Sequence, residues 1–318
     1  MTAKKIIDNV FYIPGSTNVG VITTKGKANV KDVYLIDSGG DSQDAQRIYD
    51  ELCALFPAEK GGFNLVAIIN THSHADHSGG NAFFVQKTGC EIWCTRFESF
   101  GLENPLLQSV ITCGSVPLMH LQSSYYVAKP SSVNKIIDEK SEIILKDSGK
   151  LTFINLPGHY LCMIGVLFTS EKGETVFFPG DAVFGRNHIL KYWISYLLDL
   201  SLFKQTLEKL NKTNFNFYVP SHGELCTEIN SMVEMNEIAI LSTESSILHS
   251  LDNEKKLPFA EILKSVADMN GIKLRTPQYL LIGSTIRSYL CYLYEQNKID
   301  CAMYENRLLW FKTKKDKD

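Results

Sequence analysis

The 318-residue chain has no cysteines in CxxC spacing; its eight, at positions 53, 90, 94, 113, 162, 226, 291 and 301, are scattered. That excludes a zinc ribbon and a dense disulfide framework, and it fits unpaired thiols in a reducing compartment. No apolar run approaches the ~20 residues that a membrane span needs. The opening stretch MTAKKIIDNVFYIPG also lacks the apolar centre of an export signal. A cytoplasmic protein without a membrane partner is the expectation. Charge of one sign is missing too: the net charge of −3 gives no global pull toward nucleic acid or an anionic membrane. There is no internal repeat, and no low-complexity tract beyond the tail KTKKDKD.

What is present is an ordinary globular composition, 44% hydrophobic and 21% charged. The length suits a core with an appended module. NVFYIPG, NVGVITTKG and DVYLIDSGG read as short strands. SQDAQRIYDELCALF has helical apolar spacing, and FNLVAIINTH reads as a strand buried on both faces. NAFFVQKTG reads as a helix closed by Gly89, and EIWCT as the next strand. Residues 96–135 break the rhythm and read as an irregular insertion, the kind of loop that serves as a lid. Strands resume in SEIILKDSGKLTFINLPGH, MIGVLFTSEKG and ETVFFPGDAVF. A helix SYLLDLSLFKQTLEKL and a strand NFYVPSHG follow.

After Gly223 the composition shifts. Residues 224–251 read as one long helix, then two helices, FAEILKSVADMNGI and TPQYLLIGSTIRSYLCYLYEQNKID, and a hairpin turning at Glu305-Asn306. Residues 251–318 carry 12 Lys/Arg against 9 Asp/Glu, leaving −6 for the rest. The expected division is a catalytic domain over 1–225 and a linking helix with a helical module over 226–318.

The stretch NTHSHADHSGG carries His72, His74, Asp76 and His77 directly after a buried strand. Side chains two apart on extended chain share a side, so His72 and His74 can grip one ion. If a helix follows, Asp76 and His77 project differently and can reach a second. The glycine pair at 79–80 allows close backbone packing. Imidazole and carboxylate donors suit zinc, with manganese or iron as alternatives. Three more candidates stand at the ends of apolar β runs: His159 in INLPGHY, Asp181 in VFFPGDAVF and His222 in FYVPSHG. Strand ends gathered at one sheet edge are where α/β proteins place active sites.

HxHxDH at 72–77, PGH ending at His159, GD at 180–181 and SHG at 221–223, in this order, resemble the metallo-β-lactamase superfamily. STNVGVI and LIDSGG match its early strands, and the resemblance covers about residues 5–225. It implies an α/β fold, an αββα sandwich, with a dinuclear site at one sheet edge. Carried over, His72, His74 and His159 would bind the first metal and Asp76, His77 and His222 the second, with Asp181 bridging. A water shared between two cations loses its proton near neutral pH and becomes the nucleophile. Asp76 would orient it and handle the proton. Asp37 either braces the histidine turn or only forms a turn.

The bond cut is less legible. Tyr160 stands where many members carry Ser or Thr, and is a candidate substrate contact. His188 either binds a substrate oxyanion or is a surface histidine; Arg186 is open in the same way. Phe97, Phe100, Met119, His120, Tyr125 and Tyr126 of the insertion either line a pocket or pack it onto the core. The C-terminal helices and hairpin resemble a winged helix, which occurs in several hydrolases of this fold, including a ribonuclease branch. Its helix 276–297 offers Arg287 alone as a cation, so it reads as a packing surface for the catalytic domain or a second copy. The leading expectation is hydrolysis of a small ester, thioester, lactone or amide. The alternatives are a phosphodiesterase or ribonuclease, and a silent partner-binding scaffold.

Overall fold

The apolar runs of the first half assemble into one sheet, in sequence order. The computed structural model describes residues 2–313 except 28, 29, 124, 125 and 253. Tyr125, the side chain of His120 and the tail 314–318 lie outside the described residues. Strands β1 (Lys4–Ile7), β2 (Val10–Ile13), β3 (Val19–Lys25) and β4 (Lys31–Ile36) run antiparallel as a meander. Three parallel strands extend it: β5 (Phe63–Ile69), β6 (Glu91–Cys94) and β7 (Lys135–Ile136). The crossovers are helical, as parallel pairing requires. They contain α1 (Ser42–Leu55), then α2 (Ala75–Ser78) with α3 (Asn81–Thr88), then α4 (Arg96–Glu103) with α5 (Leu106–Cys113).

The second sheet has the order β12-β11-β10-β9-β8. Its strands are β8 (Glu142–Leu145), β9 (Gly149–Asn155), β10 (Ile164–Ser170), β11 (Thr175–Phe178) and β12 (Phe217–Tyr218). Helices α6 (Arg186–Tyr192) and α7 (Leu200–Asn211) lie between its last two strands. Period-two alternation explains why the sheets stack. Ile164, Val166 and Phe168 of β10 join Ile22, Ala67 and Ile69 in a core between the sheets. Val19, Val21 and Ile68 instead meet Ala45, Ile48, Leu52 and Phe84 of the first helix layer. Leu156 and Phe177 meet α7 through Phe203 and Leu207 on the far side. These three cores are the interfaces of an αββα sandwich.

The C-terminal elements are α8 (Asn230–Ser250), β13 (Leu257–Pro258), α9 (Phe259–Met269), α10 (Thr276–Glu295), β14 (Ile299–Tyr304) and β15 (Arg307–Lys312). The hairpin turns at Glu305 and Asn306, both at positive φ (46° and 61°), as expected from the sequence. With β13 it makes a three-stranded antiparallel sheet. Ile240, Ile286 and Leu290 belong to the same core as Phe203 and Leu207, so these helices continue the second helix layer.

Three expectations change. The segment 96–135 is not wholly irregular, since 96–103 and 106–113 are helical. Both helices are short; the first leaves Phe97 (61%) and Phe100 (53%) exposed and the second Leu107 and Ile111, so their apolar spacing does not point at the core. Those two side chains and Met119 therefore do not pack the insertion down. Helix α7 begins at Leu200 rather than 195, because the Asp199 carboxylate accepts the Leu202 N–H and caps it. Helix α8 begins at Asn230, since Cys226 first pairs with Tyr218.

Candidate metal centre

Four strand ends deliver the candidate ligands. His72 follows β5, and the chain then turns through His74 into α2, whose first residues include Asp76 and His77. His159 follows β9, Asp181 follows β11 after Gly180 (φ 62°), and His222 follows β12. The turn at 72–78 is held by close approach of backbones. A Cβ on Gly79 would lie 1.9 Å from the Gly40 carbonyl oxygen, and one on Gly80 2.2 Å from that of Ser38.

All seven side chains converge. His74 Nδ1 lies 3.0 Å from both His72 Nε2 and His159 Nε2. His222 Nε2 lies 3.1 Å from Asp76 Oδ2, and His77 Nε2 lies 3.6 Å from the same oxygen. Asp181 sits between the groups: Oδ1 is 3.3 Å from His77 Nε2, and Oδ2 is 3.4 Å from both His159 Nε2 and His222 Nε2. His72, His74 and His159 form one set with metal-ligand spacing, and Asp76, His77 and His222 another.

The outward ring atoms of His72, His77, His159 and His222 are engaged. His159 Nδ1 donates to the Tyr196 carbonyl and His222 Nδ1 to that of Ser16, both at 2.8 Å. His77 Nδ1 meets Asp37 Oδ2 at 2.8 Å. Asp37 also accepts from the Thr71 N–H (2.8 Å) and hydroxyl (2.9 Å). That hydroxyl oxygen in turn accepts from His72 Nδ1 at 3.1 Å. Asp37 is thus more than a turn-former, since it orients His77 directly and His72 through Thr71. With protons committed outward, the Nε2 lone pairs of His72 and His159 face His74 Nδ1 with at most one proton among them. His77 Nε2 and Asp181 Oδ1 are buried without a hydrogen-bond partner. Inward lone pairs on nitrogen and carboxylate oxygen are what divalent cations satisfy, and the residues fit such ions.

The electrostatics of the metal-free site divide the histidines: one set is neutral, and in the other the carboxylates hold on the rings protons that a cation would displace. Burial, then the His159 imidazole, pushes His74 down to about 3, so it is a neutral donor. Burial likewise lowers His72 and His159. At His222 burial opposes the charge, but Asp181 and Asp76 outweigh it and raise the group to about 10. His77 is raised for the same reason. Enclosure would raise Asp181, but His222 and His77 hold it well below the carboxylate range. At Asp76 enclosure is again outweighed, here by His77 and His222.

A cleft of about 230 Å³ opens on these residues. His188 and Tyr126 line it. His188 stacks on Phe184 at 4.5 Å, and burial, then His222, pushes it down to about 4. It is not a free surface histidine. Arg186 is exposed in a larger adjoining groove. Tyr160 is 4% exposed, its ring packs 4.5 Å from that of His74, and it is not among the described residues that line the cleft.

Several participants carry no signal in the sequence pattern. Glu98 of α4, 1% exposed, accepts from the Ser73 N–H (2.9 Å) and hydroxyl (2.7 Å) and from the Cys162 N–H (3.2 Å). It ties the histidine turn to the loop after His159, and burial raises it to about 7. Asn18 holds the His222 loop, its amide donating to the Pro220 (2.8 Å) and Gly223 (2.7 Å) carbonyls. The Tyr196 and Ser16 carbonyls act through backbone, which residue identity does not announce.

A family model described as the metallo-beta-lactamase superfamily matches residues 12–222. Among solved structures, a beta-lactamase domain protein from Burkholderia ambifaria aligns over 98% of this chain and 93% of its own, with TM-score 0.74 and 14% identity. A metallo-beta-lactamase family protein from Thermus thermophilus aligns over 97% and 100%, with TM-score 0.70 and 16% identity. A subclass B3 metallo-beta-lactamase of Bradyrhizobium japonicum covers 70% of this chain and 78% of its own, with TM-score 0.53 and 21% identity. At such identities the structures speak for the fold, and the first two extend it across the C-terminal helices. Two sheets between helix layers, a ligand-like cluster at their edge and a family match across two thirds of the chain agree: this protein belongs to the metallo-beta-lactamase superfamily and is a metal-dependent hydrolase of that fold.

Proposed function

We propose that the protein is a two-metal hydrolase of a small, uncharged ester, thioester, lactone or amide. The observation that carries the carbonyl reading is the cleft: no Lys or Arg is among the described residues that line it. A phosphodiester brought there would lose water without gaining a cationic side chain. His72, His74 and His159 would hold one ion, Asp76, His77 and His222 the second, and Asp181 would touch both. Divalent ions there, zinc by the donor set with manganese or iron as alternatives, acidify a water near neutral pH and polarise the oxygen under attack.

The remaining roles belong to the chain. Asp76, with 46% of its side chain exposed, faces the cleft and is the group placed to orient the attacking water and take its proton. Its Oδ2 is 3.5 Å from the Thr17 hydroxyl, which fixes the carboxylate plane. Asp37 keeps His77 and His72 in the tautomers whose inner nitrogens are free to bind. Phe184 and Leu121 keep the cleft largely apolar, which strengthens electrostatics within it.

The phosphodiesterase reading has one observation of its own. The adjoining groove, about 1170 Å³, reaches Asp76 and His222 and carries Arg47, Arg186 and Lys191. It also carries Asp41, Asp44 and Glu224, and Arg47 is paired with Asp44 at 3.2 Å. Arg287, the cation of α10, lies over the Phe259 ring at 4.0 Å. The charge is therefore balanced rather than gathered for a polyanion. A homo-oligomer would use the exposed Ile238 and Leu241 of α8, and light scattering reports it. The deciding experiment is metal analysis with a panel of thioester, lactone, β-lactam and phosphodiester substrates. Metal-dependent carbonyl turnover is expected. Phosphodiester cleavage alone, with salt-dependent RNA binding, would overturn the reading, and failure to retain any metal would favour a silent scaffold.

A further inference from the structure

We infer that α5 and α10 form a specificity pocket for an apolar, uncharged acyl group, in which the Gln108 side-chain amide donates a hydrogen bond to a neutral oxygen of that group. The inference rests on the hydrolytic reading and names which part of the substrate the chain recognises.

Two helix faces meet over the cluster. Gln108, Ser109 and Thr112 of α5 line one side of the cleft, and Pro277, Leu280 and Leu281 of α10 line the other. Each set is spaced as one helical face, so both helices present a side to the cavity rather than a stray residue. Tyr196 lies beneath them, and its carbonyl holds His159 Nδ1. Its hydroxyl is 3.5 Å from the Thr112 hydroxyl of α5. Farther along, the Thr285 hydroxyl of α10 accepts the Leu197 N–H at 3.1 Å. The pocket walls and a candidate metal ligand are therefore tied to one short segment, Tyr196 and Leu197.

The polar signal is Gln108. It is 6% exposed, it lines the cleft, and its Nε2 has no hydrogen-bond partner. An unmet buried donor is rare and marks a place where a ligand supplies the acceptor. Pro277, Leu280, Leu281 and Leu121 line the same cleft with apolar surface, and no Lys or Arg among the described residues lines it. A charged acyl group would find no cationic side chain there, whereas a hydroxyl, ether or carbonyl oxygen on an otherwise apolar chain satisfies both features. The C-terminal helix thus takes part in choosing substrate and does more than cover the catalytic domain.

The test uses zinc-loaded full-length protein and two short acyl thioesters of equal length, one carrying a single neutral oxygen in its acyl chain and one all-carbon. The wild type is expected to favour the oxygenated substrate in kcat/KM by roughly two- to tenfold, the scale of one hydrogen bond. Gln108→Leu, with Gln108→Met as the second variant, should bring the ratio of the two kcat/KM values near one, chiefly by lowering that of the oxygenated thioester, in protein whose circular dichroism and zinc content stay native. Leu280→Asp should weaken both substrates through KM. The methylene ketone analogues of the two thioesters, which cannot be hydrolysed, are titrated calorimetrically in parallel. Tighter binding of the oxygenated ketone that Gln108→Leu abolishes supports the pocket even if neither thioester turns over, in which case the hydrolytic reading alone fails. An oxygen preference unchanged in folded Gln108→Leu and Gln108→Met, or absent from the wild type, overturns the inference.

Discussion

Asp37 shows how one side chain disposes two others. Its carboxylate takes the His77 ring, the Thr71 amide and the Thr71 hydroxyl, at a backbone φ of 63° that costs a non-glycine residue some strain. Asp37→Ala is expected to weaken metal binding roughly 10–100-fold, read by competition with a chromophoric chelator. A smaller loss at the candidate ligands themselves would be inconsistent with their proposed roles. His74→Ala or Asp181→Ala should abolish hydrolysis and lower metal content while circular dichroism stays native. Glu98 makes a prediction of different sign. Burial lifts it from 4.5 to about 7, so between these values the folded metal-free protein holds a proton that the unfolded chain has lost. Glu98's own contribution to stability therefore falls as pH rises through that window, by up to about 3 kcal/mol, and levels off above it. Urea denaturation of the chelated wild type and Glu98→Gln from about pH 4.5 to 8 should show that slope in the difference between the two unfolding free energies, where the histidine contributions cancel.

At the scale of elements, the strands and longer helices follow their patterns. β5 is buried because it pairs in parallel on both sides, and α3 ends at Gly89 because that residue takes φ 72°. The histidine turn depends on neighbouring backbones: Ser38 donates its N–H to the His77 carbonyl at 2.8 Å, just where Gly80 must pass. Gly80→Ala would put a methyl against fixed backbone, so a loss of roughly 3 kcal/mol in urea denaturation and reduced metal content are expected. Among the helices, pattern alone did not reveal α4, α5 and α6. The first two have eight residues each and the third seven. Helices so short carry too few turns for a periodic signal, and α4 turns apolar side chains outward and a glutamate inward.

Across the whole molecule, the core beside α7 does not stop at the expected boundary near residue 225. Leu156 and Phe203 share it with Val233, Ile262, Ile286 and Leu293. Truncation after 225 would expose that surface. The shortened chain is expected to aggregate, and the full chain to melt in one cooperative calorimetric transition. Two resolved transitions would show instead that the modules fold independently. Among the described residues, no helix is long and apolar enough to cross a membrane.

The sequence by itself determined the donors and their order along the chain, because each sits in a short motif at the end of an apolar strand, where pattern and chemistry are local. It also determined the C-terminal helices and the turn at Glu305-Asn306, since periodicity and turn residues act over a few positions. Tertiary structure decided what those motifs meet. His159 reaches His74 across 85 positions, and Thr285 reaches Leu197 across 88. Glu98 lies inside the fold because Ser73 and Cys162 supply three donors to its carboxylate. Gln108 faces the cleft because α5 and α10 close over Tyr196. Contacts at such separations depend on how layers stack, and stacking leaves no repeat for a linear reading to find.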